Sequence, residues 1–78
     1  MSKTMALPQR ALARARRAVA KEFPAFRGIR PTVRGQADGR YTLTFRTTVR
    51  LPDGGTLRRT LRATISSQGE ILRVTTSR

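Results

Sequence analysis

The 78-residue chain contains no cysteine and no histidine, and four acidic residues stand against seventeen basic ones. Without cysteine there is no disulfide, and without either residue type the usual zinc ligand sets cannot be assembled. A chain this short hides only about 60% of the surface its unfolded form exposes, so one small domain over residues 1–78, with a thin core, is expected. Catalytic chemistry is equally short of means. The acids are Glu22, Asp38, Asp53 and Glu70. Asp38 and Asp53 each precede a glycine in a turn sequence, where aspartate is favoured for local hydrogen bonding. Glu70 follows Gly69, and Glu22 falls at the end of a helical pattern. With no histidine base, no cysteine nucleophile and no paired carboxylates, an enzyme is not expected, and neither is a cofactor or a metal site.

Long apolar runs are also missing. Nothing approaches the roughly 18 residues that mark a membrane-spanning helix, and the N-terminal segment lacks the apolar centre of a secretory signal. A cytoplasmic protein without a membrane span is therefore expected. The stretch "MSKTMALPQRALARARRAVAKEF" has something of the composition of an arginine-rich transit peptide. Removing it would leave a sheet with one apolar face open to water, so it is read as part of the fold. Aromatic residues are few: Phe23, Phe26, Tyr41 and Phe45.

What the chain has in excess is positive charge, a formal +13, carried by arginine at all but two of its basic positions. Such an imbalance repels itself in the compact state and concentrates polyanions nearby. The planar guanidinium fork suits phosphate and carboxylate better than a lysine point charge does. Arginine and alanine richness can also follow from coding composition, so the charge points to function only where it is organised.

The first organised element is helical. At 100° per residue, Ala11, Leu12, Ala15, Ala18, Val19 and Phe23 share one face, and Arg10, Arg14, Arg17 and Lys21 the other. A helix over about residues 8–22 follows, with Pro8 tolerated in its first turn and Pro24 ending it. Beyond "FPAFRG" the period changes to two, with glycine turns at "ADGR", "PDGG" and "SQGE". Strands are expected at about 29–34, 40–51, 56–66 and 71–76. The fold class is thus α+β, one N-terminal amphipathic helix packed on a four-stranded antiparallel meander.

Parity fixes the central register. A three-residue "PDG" loop with Gly54 in the left-handed position sets Leu51 opposite Gly55. Val49 then faces Leu57, Phe45 faces Leu61, Leu43 faces Ala63 and Tyr41 faces Ile65. Thr47 and Arg59, which break the apolar pattern, fall opposite each other, as expected of a spot the helix leaves uncovered. On the other face Arg50 meets Thr56, Thr48 meets Arg58, Arg46 meets Thr60 and Thr44 meets Arg62. Arginine and threonine form a checkerboard in which no two arginines are directly opposed. Opposed like charges would be destabilising, within the roughly 0.2–1 kcal/mol typical of cross-strand pairs.

Such a surface points to a polyanion. Half or more of protein contacts to DNA go to phosphate and sugar, chiefly from arginine, lysine and small hydroxyl side chains, and this surface supplies arginine and hydroxyl together. The candidate contact residues are Arg30, Arg34, Arg46, Arg50, Arg58, Arg62 and Arg73, all expected on the outer sheet face. The partner is expected to be DNA or RNA. With every aromatic assigned to the buried side there is no stacking platform for unpaired bases, which favours duplex or structured nucleic acid. Four strands at about 4.8 Å spacing exceed a simple two-stranded insert in a major groove about 12 Å wide, so base reading would need a tilt or an edge.

From Gly39 to Arg62, "GRYTLTFRTTVRLPDGGTLRRTLR" resembles the three-stranded sheet of phage integrase arm-binding and plant AP2-type domains, which place such a sheet in the major groove. Those domains follow the third strand with a helix, where this chain has "SSQGEILRVTTSR". Over its whole length, with a helix first and "GEILRV" near the end, the chain is more similar to PepSY-like or cystatin-like modules. That likeness implies a protein-interaction or inhibitory module, here one binding an acidic partner. A homodimer through an edge, the C-terminal strand above all, is a further expectation.

Overall fold

The alanine-rich N-terminal pattern folds as helix α1, Gln9–Glu22, in a computed structural model that describes residues 7–36 and 38–77. Ala11, Ala15 and Val19 are its buried residues, and Leu12 and Phe23 pack against the same core. The small alanines bring the helix axis close to its support. Pro8 occupies the N-cap position without a side-chain cap, and no acid sits in the first turn. The helix thus owes little to its own ends and most of its stability to packing. It stops at Phe23, whose N–H bonds the Val19 carbonyl, because Pro24 cannot continue the ladder. Pro24–Phe26 instead forms a single 3-10 turn, and Gly28, at φ +78°, redirects the chain toward the sheet.

Four antiparallel strands follow in the order of the chain, β1 (Thr32–Gly35), β2 (Tyr41–Arg50), β3 (Thr56–Ile65) and β4 (Ile71–Ser77). The helix-plus-meander architecture expected from the periodicity is the one observed. The first strand begins three residues later than expected, because Ile29 closes the preceding turn through its N–H to the Phe26 carbonyl and Pro31 has no N–H to offer a ladder. Arg30 therefore lies outside the strand.

All three hairpins turn in the same way. The N–H groups of Gln36, Leu51 and Ser66 each donate to the carbonyl four residues on, and the carbonyls of the same three residues accept the N–H of Gly39, Gly54 and Gly69 respectively. These glycines have φ of +86°, +92° and +91°, the left-handed position such three-residue loops require. Gly69 is the most constrained. An alanine Cβ there would run into the Ala11 carbonyl oxygen and stand 3.0 Å from the Ala11 Cα. The turn between β3 and β4 therefore presses directly on the start of α1.

The register between β2 and β3 is the one parity demands, from Tyr41 opposite Ile65 to Arg50 opposite Thr56. Its apolar side, Tyr41, Leu43, Phe45, Leu61, Ala63 and Ile65, is buried under α1 and Phe26, whose ring meets Phe45 edge-on at 6.2 Å. Between β3 and β4 the register shifts: Ile65 pairs with Ile71 but Thr64 with Arg73, so Leu72 is an unmatched bulge residue and is exposed. The bulge has a physical reason. Ile71 and Val74 both face the core although they are three apart, and one extra residue restores the parity.

The sheet is not equally wide along its length. β1 pairs only with Tyr41–Thr44 and β4 only with Thr60–Ile65. From Thr47 and Arg59 outward the sheet is a bare two-stranded arm closed by the Leu51–Gly55 turn. A helix of 14 residues spans about 21 Å, whereas ten-residue strands run about 34 Å, so α1 cannot cover the whole hairpin. Burial records the limit: Phe45 and Leu61 are fully buried, while Thr47, Val49, Leu57 and Arg59 are only half-buried. The molecule is accordingly long, 52 × 22 × 18 Å.

Candidate nucleic-acid interface

The face of the sheet turned away from α1 is built almost wholly of two residue types. Pairing sets Arg34, Thr42, Thr64 and Arg73 in one row across all four strands, and Thr32, Thr44, Arg62 and Thr75 in the next. Arg46, Thr60 and Ser77 form a third row, and Thr48 with Arg58 and Arg50 with Thr56 continue along the arm. Six arginines thus share the face, and no acidic side chain lies among these rows. Five of them form a diagonal chain, Arg50, Arg58, Arg46, Arg62 and Arg73, in which neighbours are about 7–8 Å apart at the backbone. Side chains two apart on a strand stand about 6.7 Å from one another, so the array is dense and its origins are rigid.

Of the seven arginines expected on this face, Arg34, Arg46, Arg50, Arg58, Arg62 and Arg73 are on it and exposed. Arg73 reaches it only through the bulge, since plain alternation from Ile71, which packs against the core, would have turned it inward. Arg30 is exposed but sits in the loop before β1, and it leaves the array because Pro31 delays the strand. Thr32, Arg34, Thr42, Thr44, Arg46 and Arg62 line a shallow depression of about 430 Å³. These residues thus border a concave surface, where a phosphate oxygen can meet more than one donor.

The acids are kept away from the array by their turn roles. Asp53 Oδ1 accepts the Gly55 N–H at 2.9 Å, and Asp38 Oδ1 accepts the Arg40 N–H at 3.2 Å. Asp38 Oδ2 also lies 3.5 Å from Arg40 Nε, the one ion pair among the described residues, and both side chains are more than half exposed. Screening by water makes such a pair weak. None of the six face arginines has a carboxylate partner among the described residues.

A second basic surface lies on the opposite side. Arg10, Arg14, Arg17 and Lys21 are exposed along α1, and Arg14 Nη1 donates to the Gln68 carbonyl at 3.4 Å. The aromatics take no part in either surface: Phe26, Tyr41 and Phe45 are buried, and Phe23 packs against the core.

Thr47 and Arg59 are paired where the helix leaves the sheet uncovered, as parity requires, whereas the tapering of the sheet into a two-stranded arm is not contained in the periodicity. The signal was present in the strand lengths, since two long strands flanked by two short ones must leave their far ends unpaired.

No family model, no curated protein and no solved structure matches the chain. The likenesses to integrase arm-binding and AP2-type domains, and to PepSY-like and cystatin-like modules, therefore rest on strand pattern alone. The first is weakened by β4, which follows β3 where those domains have a helix.

Proposed function

We propose that this chain is a nucleic-acid-binding protein that holds duplex phosphates on the outer face of its sheet. The observation carrying this reading is the composition of that face: six exposed arginines, interleaved with threonines, with no acid in any row. A face kept only for solubility gains nothing from segregating the signs of charge, and mixed signs would cost less self-repulsion. Arginine supplies bidentate contacts to phosphate, and the intervening threonine hydroxyls add donors. The absence of aromatics from the face disfavours stacking of unpaired bases and favours a double helix. No helix among the described residues is long and apolar enough to cross a membrane.

The test is fluorescence anisotropy with a mixed-sequence DNA duplex at several salt concentrations, on the wild type and on Arg46→Ala/Arg62→Ala. Each phosphate contact adds about −0.9 to the slope of log affinity against log salt, so loss of two makes the slope shallower by about 1.8. Equal, weak binding by both proteins would refute the reading. The second reading, an interaction module for an acidic protein, has the open backbone edge of β4 in its favour. It calls for a shallower salt slope and a contact that survives the double substitution.

A further inference from the structure

We infer that the two-stranded arm enters the major groove of B-form DNA, while the four-stranded base grips the phosphates on either side. This rests on the proposed duplex binding and adds to it the groove, the kind of helix and a division of labour among the arginines.

The shape of the sheet carries the inference. Across four strands the backbone spans about 14 Å, which cannot lie flat in a groove about 12 Å wide and 8.5 Å deep. Beyond Thr47 and Arg59 only two strands remain, about 4.8 Å between backbones, and a two-stranded ribbon is a width the major groove admits. Four residues at about 3.4 Å each make the free part of the arm about 14 Å long. No helix covers it, and both of its edges carry backbone groups that no other strand takes up. The arm is thus clear on every side that would have to pass between the phosphate walls.

Its side chains match what the groove displays. Arg50 and Arg58 project from the outer face of the arm beside Thr48 and Thr56, with Arg46 one row behind. Arginine donates in a fork that fits guanine O6 and N7, and a threonine methyl can pack on a thymine methyl. Arg59 sits half-buried on the second face, opposite Thr47, where it can turn toward a groove wall. Asp53, the one acid of the arm, lies at the tip and is engaged with its own turn. At the base, Arg34 on β1 and Arg73 on β4 stand at the two ends of one row, three strand spacings apart. That separation, again about 14 Å, is close to the groove width, so the two can reach opposite backbones where the sheet has become too broad to enter.

The geometry selects the nucleic acid. The major groove of A-form RNA is deep and too narrow for side-chain reading, so an arm of this width favours B-form DNA over an RNA duplex.

The experiment compares three ligands of one mixed sequence: the DNA duplex, the same duplex with 7-deazaguanine for guanine, and the RNA duplex. The 7-deaza substitution removes a major-groove acceptor and leaves every phosphate in place. The proteins are the wild type, the arm variant Arg50→Ala/Arg58→Ala and the base variant Arg34→Ala/Arg73→Ala, each checked for an unchanged far-ultraviolet circular dichroism spectrum. The wild type should lose at least about fivefold in affinity on the 7-deaza duplex, the lower end of what a bidentate arginine–guanine pair contributes, and should bind RNA more weakly than DNA. The arm variant should bind the normal and 7-deaza duplexes alike. The base variant should keep the 7-deaza penalty while its salt slope falls by about 1.8. Equal wild-type binding to normal and 7-deaza DNA with a steep salt slope overturns the arm inference and leaves phosphate binding standing. Failure to bind any duplex removes both.

Discussion

The arginine and threonine checkerboard makes a quantitative claim that a single substitution can test. Thr60 is directly opposite Arg46 and stands two residues from both Arg58 and Arg62 on its own strand. Thr60→Arg therefore places a fourth positive charge among three. With charge separations of about 7 Å, each neighbour contributes about 0.6 kcal/mol in water before screening. At 10 mM salt, where the Debye length is about 30 Å, the three together destabilise the fold by about 1.4 kcal/mol, and at 1 M salt, where it is about 3 Å, by about 0.2 kcal/mol. Thr60→Glu has the opposite sign with the same dependence, so it stabilises most at 10 mM and loses its advantage at 1 M. Both substitutions give up the strand preference of threonine, a cost that does not vary with salt. Urea unfolding, in which the denaturant adds no ions, reads the two curves across that range. The charge reasoning predicts midpoints that start well apart, with glutamate above arginine, and converge as salt rises. If the two variants differ from wild type by amounts that salt does not move, the alternation reflects strand propensity and packing, and repulsion has no part in it.

The limit of helix coverage is read by a matched pair. Leu61→Ala, under α1 and fully buried, should cost about 2–5 kcal/mol, whereas Leu57→Ala, four residues along the same strand and half-buried, should cost about 1 kcal/mol, both by urea unfolding. Equal costs would mean that the arm is packed after all. A second pair isolates the contact between the last turn and the helix. Gly54→Ala meets open space and should cost about 1–2 kcal/mol for its positive φ alone, while Gly69→Ala also strikes the Ala11 backbone and should cost clearly more. Thermal unfolding that ranks the two together would refute the tight approach. Finally, amide hydrogen exchange followed by NMR should be faster by at least about tenfold at Val49 and Leu57 than at Leu43 and Leu61, since the arm has few buried contacts to hold it closed. Uniform protection along both strands would contradict the observed taper.

Much of the architecture was legible because two periods do most of the work. The helix came from a single apolar face ending at Pro24, and the central register came from parity, which a one-residue slip would have inverted along the whole hairpin. Five of the seven candidate arginines, Arg34, Arg46, Arg50, Arg58 and Arg62, follow from that register and its continuation into β1. Arg30 was misplaced because alternation continues through Pro31 on paper, whereas a proline cannot donate to the ladder and Ile29 is already held in a turn. Arg73 came out on the right face through a bulge that strict alternation does not contain. Where the bulge falls depends on Ile71 and Val74 both finding the core, which is a matter of packing between strands and helix.

The chain by itself determined the order of its elements, the pairing of β2 with β3 and the sign and spacing of the charge on one face, because these depend on local periodicity and on turn glycines. Only the tertiary structure decided where that face changes character. The short reach of α1, the short pairing of β1 and β4 and the pressure of Gly69 on Ala11 hold the helix at one end of the sheet. The other end is left as a two-stranded arm because a helix rises about 1.5 Å per residue and a strand about 3.4 Å, so elements of similar length in sequence cannot be of similar length in space.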